Sequence, residues 1–237
     1  MHKALIQTNK LGFPVNSSVY NAYQGLDSLG YEINPVKRVL SKHKGPVIAS
    51  GTIEFIDKLL GINEVKLSEF NQLTRYTPFL KRQVFKSTLE KAFSLAHEGN
   101  KFSVKPVGHK IFNGTVVLEE KDLLCLAGIP VETEVLISEY LDITSEFRVY
   151  ISDSEILGTK SYRGSSIFSP SGSFIRDVMD YQDNMPRSYA LDIGICRNSQ
   201  EVLIEVTEAV YAGNYGLPSM LYAQFLETRY QELFNIS

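Results

Sequence analysis

The chain has 237 residues, of which 43% are hydrophobic and 22% are charged, and its formal net charge is −3. This composition is typical of a folded protein with a sizeable core, and the slight acidic excess argues against general nucleic-acid binding. The two cysteines, Cys125 and Cys196, belong to no C-x-x-C motif, so neither a zinc site nor a disulfide framework is expected.

The first 80 residues are predicted to form a small open α/β domain. Short apolar strands at residues 4–7, 31–33 and 46–49 alternate with two helical patterns, and this order indicates a parallel sheet. Residues 1–10 lack the apolar core of a signal peptide, and no segment approaches 18 apolar residues. We therefore expect a soluble, cytoplasmic protein without membrane partners.

The middle of the chain carries a candidate phosphate-binding segment. Apolar residues at helical spacing predict one amphipathic helix that starts near Phe85 and stops at Gly99. Residues 102–107 then form a predicted strand with Lys105 facing a cleft, and a glycine-containing loop with Lys110 follows. Two lysines beside such a loop supply positive charges and an accessible backbone, which suits phosphate oxygens.

A strand at residues 134–141 leads into a predicted β-hairpin that turns near residue 153. Its alternating pattern places charged side chains on both strands. These side chains are Glu146, Arg148, Lys160 and Arg163. The turn length leaves open whether Lys160 or Arg163 shares a face with Arg148.

A further hairpin is predicted from two alternating segments, residues 191–195 and 202–206. If its turn is centred between residues 198 and 199, Asp192 lies directly opposite Glu205. Opposed carboxylates are destabilising unless a cation lies between them, and oxygen ligands at this spacing suit Mg²⁺. The alternative is a longer or bulged turn, which would point the two acids to different faces and leave no metal site.

Taken in chain order, these motifs resemble an ATP-grasp domain. They are V-K-P at 104–106, S-E-Y at 138–140, E-F-R-V at 146–149, L-D-I-G at 191–194 and L-I-E-V at 203–206. The longer strings S-E-F-R-V-Y, L-G-T-K-S-Y-R-G and G-N-Y-G are similar to a divergent clade of bacteria and phages, which is related to a eukaryotic translation-initiation assembly factor.

The resemblance spans residues 85–234 and implies a fold of two α+β lobes that hold ATP between them. The implied division is a pre-ATP-grasp α/β domain at 1–80, a first lobe at 81–138 and a second lobe at 139–237. The resemblance also implies an ATP site whose phosphates, adenine and ribose contact, in that order, Lys105 and Lys110, the segment Glu139, Tyr140 and Leu141, and Glu146.

The resemblance assigns Mg²⁺ to Asp192 and Glu205, and it implies that Arg148, with Lys160 or Arg163, neutralises the transferring phosphoryl group. One position departs from the family pattern, because the usual Glu-x-Asn is here followed by Thr207 and then Glu208. A threonine hydroxyl or a glutamate carboxylate are the candidate replacements, and they lie on opposite faces of a regular strand.

The implied activity is that of a carboxylate–amine ligase, which forms an amide or peptide bond through an acyl phosphate. Its substrates would be small molecules, peptides or a protein terminus. One alternative is an ATP-binding assembly factor or regulator with little turnover, and the loss of the asparagine favours it. A second alternative is a binding module that uses no nucleotide.

Overall fold

The structure is a computed structural model that describes residues 3–61, 73–107 and 111–235. The described strands are β1 Lys3–Gln7, β2 Glu32–Val36, β3 Ile48–Ser50, β4 Val84–Thr88, β5 Phe102–Pro106, β6 Thr115–Val117, β7 Glu134–Glu139, β8 Ile143–Ser152, β9 Glu155–Gly164, β10 Ser188–Cys196 and β11 Glu201–Glu208. The described α-helices are α1 Ser17–Ser28, α2 Ile53–Leu60, α3 Thr77–Leu80, α4 Leu89–His97, α5 Gly172–Asp180 and α6 Ser219–Leu233. Short 3₁₀ helices cover Leu73–Tyr76, Glu120–Leu126 and Ala209–Tyr211.

The first sheet has the order β2-β1-β3 with parallel pairing, which confirms the predicted parallel unit. The side chain of Asn16 caps α1 by accepting from the backbone N–H of Val19 at 3.0 Å. The C-terminal helix α6 packs closely against α1, because Gly25 leaves room for the backbone of Ser219: a Cβ at Gly25 would lie 2.0 Å from that carbonyl oxygen. The end of the chain therefore contributes to the core of its beginning.

The second sheet has the order β4-β7-β5-β6 with antiparallel pairing, and α4 covers one of its faces. The prediction of one helix starting near Phe85 is wrong, because Val84–Thr88 pairs with β7 as a strand. The helix begins only at Leu89, where the side chain of Thr88 accepts from the backbone N–H of Lys91 at 3.4 Å. This cap separates strand from helix.

The third sheet has the order β11-β10-β8-β9 and contains both predicted hairpins. Its apolar face is buried beneath α3 and α5, where Leu191, Ile193 and Val206 contact Ile175 and Val178. Its opposite face carries the charged residues and is covered at one end by the first sheet and its helices.

The N-terminal unit is attached to the third sheet by polar contacts. Tyr230 on α6 donates to the carbonyl of Ala49 at 2.9 Å, and the backbone N–H of Asn214 donates to Ser18 Oγ at 2.9 Å. The division of the chain at residues 80 and 138 stays a prediction. Of the helices described, none combines the length and the apolar character needed to cross a membrane.

Candidate functional site

Asp192 and Glu205 are opposed on β10 and β11, as predicted from the hairpin pattern. The pairing next to the turn differs from the predicted register by one residue, since Gly194 pairs with Val202 rather than with Leu203. A register shift between Asp192 and Ile193 compensates for this offset. Such a bulge places one extra residue on one strand, so the pairing beyond it returns to the predicted register.

A row of four charged side chains crosses the third sheet on one face. Glu205 is opposite Asp192, Asp192 is opposite Arg148, and Arg148 is opposite Lys160. Arg163 is opposite Glu146 in the adjacent row and forms an ion pair with it. Opposed residues share a face, so both Lys160 and Arg163 lie on the face of Arg148. This answers the question that the turn length left open.

The centre of the row is a buried bidentate ion pair. Arg148 donates from Nε and Nη2 to the two carboxylate oxygens of Asp192, at 2.7 Å each. Burial raises the pKa of the Asp192 carboxyl, and the guanidinium opposes that rise. Burial lowers the pKa of Arg148, but the facing carboxylate outweighs this effect and leaves that pKa raised. Two short hydrogen bonds mark both groups as ionised at neutral pH.

A lysine from the second sheet reaches this row. Lys105 on β5 places its Nζ 3.4 Å from Glu205 Oε1, and the two side chains are 30% and 43% exposed. Lys105 is opposite Leu136, which is in turn opposite Lys86 on the edge strand β4. The two lysines therefore share the face of the second sheet that looks toward Glu205, about 10 Å apart at the strand spacing of ~4.8 Å.

Lys86 is a site residue that the sequence reasoning missed. Its segment was interpreted as helix, which removed the strand alternation that would have paired its direction with that of Lys105. A signal for the true boundary exists in the sequence, since Thr88 followed by Glu90 and Lys91 fits a helix N-terminus.

Two tyrosines complete the surroundings of Arg148, and the sequence reasoning did not single them out as site residues. The guanidinium carbon lies 4.6 Å from the ring centre of Tyr215, and the Tyr162 ring stacks on Tyr215 at 4.8 Å. Burial raises the pKa of Tyr162, and Asp192 and a hydrogen-bonded Glu146 raise it further. Both tyrosines occur in the strings that carry the family resemblance, L-G-T-K-S-Y-R-G and G-N-Y-G.

The loop that carries Tyr215 is held by a buried hydroxyl. Tyr150 donates to the carbonyl of Gly213 at 2.8 Å and accepts from the backbone N–H of Tyr215 at 2.9 Å. The side chain of Asn214 accepts from Gly216 N at 2.7 Å, which closes the loop. Tyr215 is thus positioned over Arg148 by backbone contacts.

The two candidate replacements for the family asparagine face in opposite directions. Thr207 shares the face of Glu205, and its Oγ1 is buried without a hydrogen-bond partner among the described residues. Glu208 as a metal ligand is a wrong prediction, because both of its oxygens accept from Arg229 on α6 at 2.7 and 2.8 Å. Burial raises the pKa of Glu208 and the guanidinium opposes that rise. The strand stays regular after Val206, so no distortion turns Glu208 toward the site.

The segment predicted to contact adenine lies where β7 ends and β8 begins. The Glu139 carboxylate accepts from the backbone N–H of Gln83 at 2.8 Å, Tyr140 is 37% exposed, and Leu141 lines a cavity of about 250 Å³. The predicted phosphate contact Lys110 lies outside the described residues.

Gly194 opens an apolar surface in the row of Glu146. A Cβ there would lie 3.0 Å from Ile143 Cγ2 and 3.1 Å from Ile204 Cδ1, so the glycine lets these two side chains flank the strand. This surface adjoins the segment at residues 139–141 and offers contact to a planar, apolar ring.

The donor set fits Mg²⁺ only together with a nucleotide. No cluster of three or more His, Cys, Asp or Glu side chains suited to a metal occurs in residues 3–61, 73–107 and 111–235. Asp192, Glu205 and the unpartnered hydroxyl of Thr207 provide two carboxylates and one neutral oxygen. Mg²⁺ is commonly held by one or two carboxylates plus substrate phosphates and water, so these residues fit such an ion.

Comparison with known proteins gives a family and a fold. A family profile described as an ATP-grasp domain, the second family of its clade, matches residues 79–225. D-alanine–D-alanine ligase from Bacillus anthracis superimposes with a TM-score of 0.58 at 14% identity, over 99% of both chains. N5-carboxyaminoimidazole synthetase from Staphylococcus aureus, complexed with ADP, gives 0.57 at 11% identity over 97% of this chain and 76% of its own.

A third structure is the macrocyclase MdnC from Microcystis aeruginosa bound with the precursor peptide MdnA. Its TM-score is 0.56 at 12% identity, over 96% of this chain and 99% of its own. No curated protein matches the sequence. The structural similarities show the fold, and the profile covers more than half of the chain. The protein therefore belongs to the ATP-grasp family.

Proposed function

We propose that the protein is an ATP-dependent ligase that joins a carboxylate to an amine. The observation that carries the proposal is the meeting of Lys105 on one sheet with the row Glu205, Asp192 and Arg148 on another. Cations for phosphates and carboxylates for a divalent ion lie within contact of each other at this point. This is the arrangement that phosphoryl transfer requires, since its catalysis is mainly positioning and charge neutralisation.

The nucleotide lies between the second and third sheets in this proposal. Lys105 and Lys86 bind its phosphates, with Lys110 as a further candidate. The adenine contacts the backbone of residues 139–141 and the apolar surface beside Gly194. Glu146 accepts from the ribose, and its ion pair with Arg163 and hydrogen bond to Tyr162 support this position.

Asp192 and Glu205 would hold Mg²⁺, with Thr207 Oγ1 as the third protein oxygen. A bound Mg²⁺ supplies charge neutralisation at the β- and γ-phosphate oxygens. The buried unpartnered hydroxyl supports this role for Thr207, because a buried polar atom without a partner destabilises the fold unless a ligand satisfies it.

The chemistry is two successive displacements. A substrate carboxylate oxygen attacks the γ-phosphorus, the bond to the β-phosphate oxygen breaks, and an acyl phosphate and ADP result. The amine nitrogen then attacks the acyl carbon, phosphate leaves with the bonding electrons, and one proton passes from the amine to solvent. Arg148 and Lys160 stabilise the developing negative charge of both steps from the end of the row.

The substrate class is a carboxylate and an amine carried by small molecules or peptides. The similar structures include an enzyme named for the amino acid D-alanine and one bound with a precursor peptide, and both support this range. The carboxylate would approach from the Arg148 side of the nucleotide, where Lys160 lies on the open edge strand β9.

Hydroxylamine tests the activity without knowledge of the natural amine, because it traps acyl phosphates as hydroxamates. The protein is incubated with Mg·ATP, hydroxylamine and pools of amino acids, dipeptides and short peptides, and hydroxamate and ADP are measured together. We expect equal amounts of both products from at least one pool, and none with Lys105→Met. ADP formation that never depends on a carboxylate would contradict the ligase proposal.

A second candidate function is an ATP-binding assembly factor or regulator. The observation that favours it is Thr207 at the usual asparagine position, which reduces the number of strong metal ligands. This candidate predicts saturable Mg·ATP binding with no hydroxamate from any pool.

A further inference from the structure

The four charged groups at the meeting point of the two sheets neutralise one another in pairs. Lys105 contacts Glu205 at 3.4 Å, and Arg148 binds Asp192 through two contacts of 2.7 Å. The proposed function, on which this inference rests, gives the two carboxylates to Mg²⁺ and the two cations to phosphates. Each group is therefore engaged by the group that its ligand has to replace.

We propose that the Lys105–Glu205 pair is an exchangeable internal counter-ion pair, which makes ATP and Mg²⁺ depend on each other for binding. ATP without metal must separate Lys105 from Glu205 and leave a bare carboxylate beside its phosphates. A metal ion without ATP must displace Lys105 and leave an unpaired ammonium beside itself. Only the two ligands together replace both partners of the pair at once.

The exposure of the pair allows this exchange. The side chains of Lys105 and Glu205 are 30% and 43% exposed, so water can solvate both charges when they separate. Pairs of this exposure contribute little net stability and rearrange readily. The pair also joins β5 of the second sheet to β11 of the third, so its exchange takes place between two separate sheets.

The neighbouring Arg148–Asp192 pair behaves differently, because both side chains are buried at 7% and 5% exposure. Arg148 keeps two further contacts, the carbonyl of Gly213 at 3.4 Å and the ring of Tyr215 at 4.6 Å. The guanidinium is therefore held in place whichever lone pairs Asp192 offers to a metal. The exchange is a property of the Lys105–Glu205 pair.

Glu205→Gln tests the inference through the sign of its effect. The variant removes the charge and keeps the shape of a half-exposed side chain. Calorimetric titrations with ATP are made in EDTA and in Mg²⁺, at an ionic strength of about 0.01 M, where the screening length is about 30 Å. We expect metal-free ATP to bind about two- to fivefold more tightly than to the natural protein, the range set by a partly exposed pair.

With Mg²⁺ the same variant should bind ATP about 10- to 100-fold more weakly, since even groups that only support a metal ligand have effects of this size. Glu155→Gln is the matched control, because it removes one carboxylate from an exposed position at the far end of β9. It should leave both affinities within about twofold of the natural protein.

Lys105→Met gives the reciprocal measurement. The titration uses Mn²⁺ alone, with the free ion followed by electron paramagnetic resonance. We expect Mn²⁺ to bind about two- to fivefold more tightly than to the natural protein, because Glu205 no longer has a competing cation.

The outcomes separate the inference from the proposed function. If the natural protein does not bind Mg·ATP, the nucleotide site itself is refuted. If it binds Mg·ATP, and Glu205→Gln weakens or leaves unchanged the binding of metal-free ATP, the counter-ion exchange is overturned while the nucleotide site stands. Unchanged or weaker Mn²⁺ binding by Lys105→Met overturns it as well.

Discussion

Tyr150→Phe removes one oxygen atom that organises the loop at residues 213–216. The hydroxyl makes two hydrogen bonds, to Gly213 O at 2.8 Å and from Tyr215 N at 2.9 Å, while the ring packs edge-on against Phe225 at 5.4 Å. Each bond contributes about 0.5–1.5 kcal/mol, so the free energy of unfolding should fall by about 1–3 kcal/mol. The phenylalanine ring keeps the packing, and no large cavity forms.

The same variant should also weaken Mg·ATP binding by about two- to fivefold, because a loosened loop no longer holds Tyr215 over Arg148 and a cation–π contact of this kind is worth about 0.5–1 kcal/mol. Urea unfolding gives the stability and calorimetry gives the affinity. Tyr230→Phe is the control, since its buried hydroxyl makes one bond, to Ala49 O at 2.9 Å, away from the site. It should lose about 1 kcal/mol and keep its affinity. Full Mg·ATP affinity in Tyr150→Phe would refute the link between the loop and Arg148.

Three further predictions follow from the same geometry. Glu208→Gln should lower the free energy of unfolding by about 3 kcal/mol and leave Mg·ATP affinity unchanged below its melting temperature, because it leaves Arg229 charged and buried; weaker ATP binding there would restore Glu208 to the site. Thr207→Asn should strengthen Mg²⁺-dependent ATP binding in calorimetry, since it supplies the usual oxygen ligand; a loss of affinity would contradict the assigned metal position. Burial raises the pKa of Tyr150 to about 12, so this group favours the folded state below pH 10 and loses that contribution as the pH rises toward 12; chemical denaturation at pH 9 and 11 should therefore show a smaller pH-dependent loss for Tyr150→Phe than for the natural protein.

The opposition of Asp192 and Glu205 was predictable because alternation fixes which side chains share a face, and a burial pattern of period two survives an error in the turn. The pairing beside the turn was predicted one residue out of register, yet a bulge after Asp192 restored the pairing. Local bulges depend on backbone geometry that single residues do not encode, so the agreement at this pair rested on the apolar face rather than on the turn.

The errors have equally specific causes. Lys86 was missed because the apolar spacing of residues 85–96 fits a helix, while pairing with β7 makes its first part a strand. Glu208 was assigned to the metal on chemistry alone, and its partner Arg229 lies 21 residues away on a helix whose packing no local pattern reveals. The pairing of Lys105 with Glu205 across two sheets is likewise a tertiary contact, available only from the folded chain.

In the proposed site, Lys105 on one sheet and the carboxylates on the other bind a single Mg·ATP. The most direct test is a calorimetric titration of ATP, with and without Mg²⁺, into the natural protein and Lys105→Met. We predict one saturable site per chain that binds tightly only with Mg²⁺, and an affinity at least about tenfold lower in the variant, the effect of losing a charged contact worth about 1.5–3 kcal/mol. Absence of Mg²⁺-dependent binding, or equal affinity in the two proteins, would contradict this site.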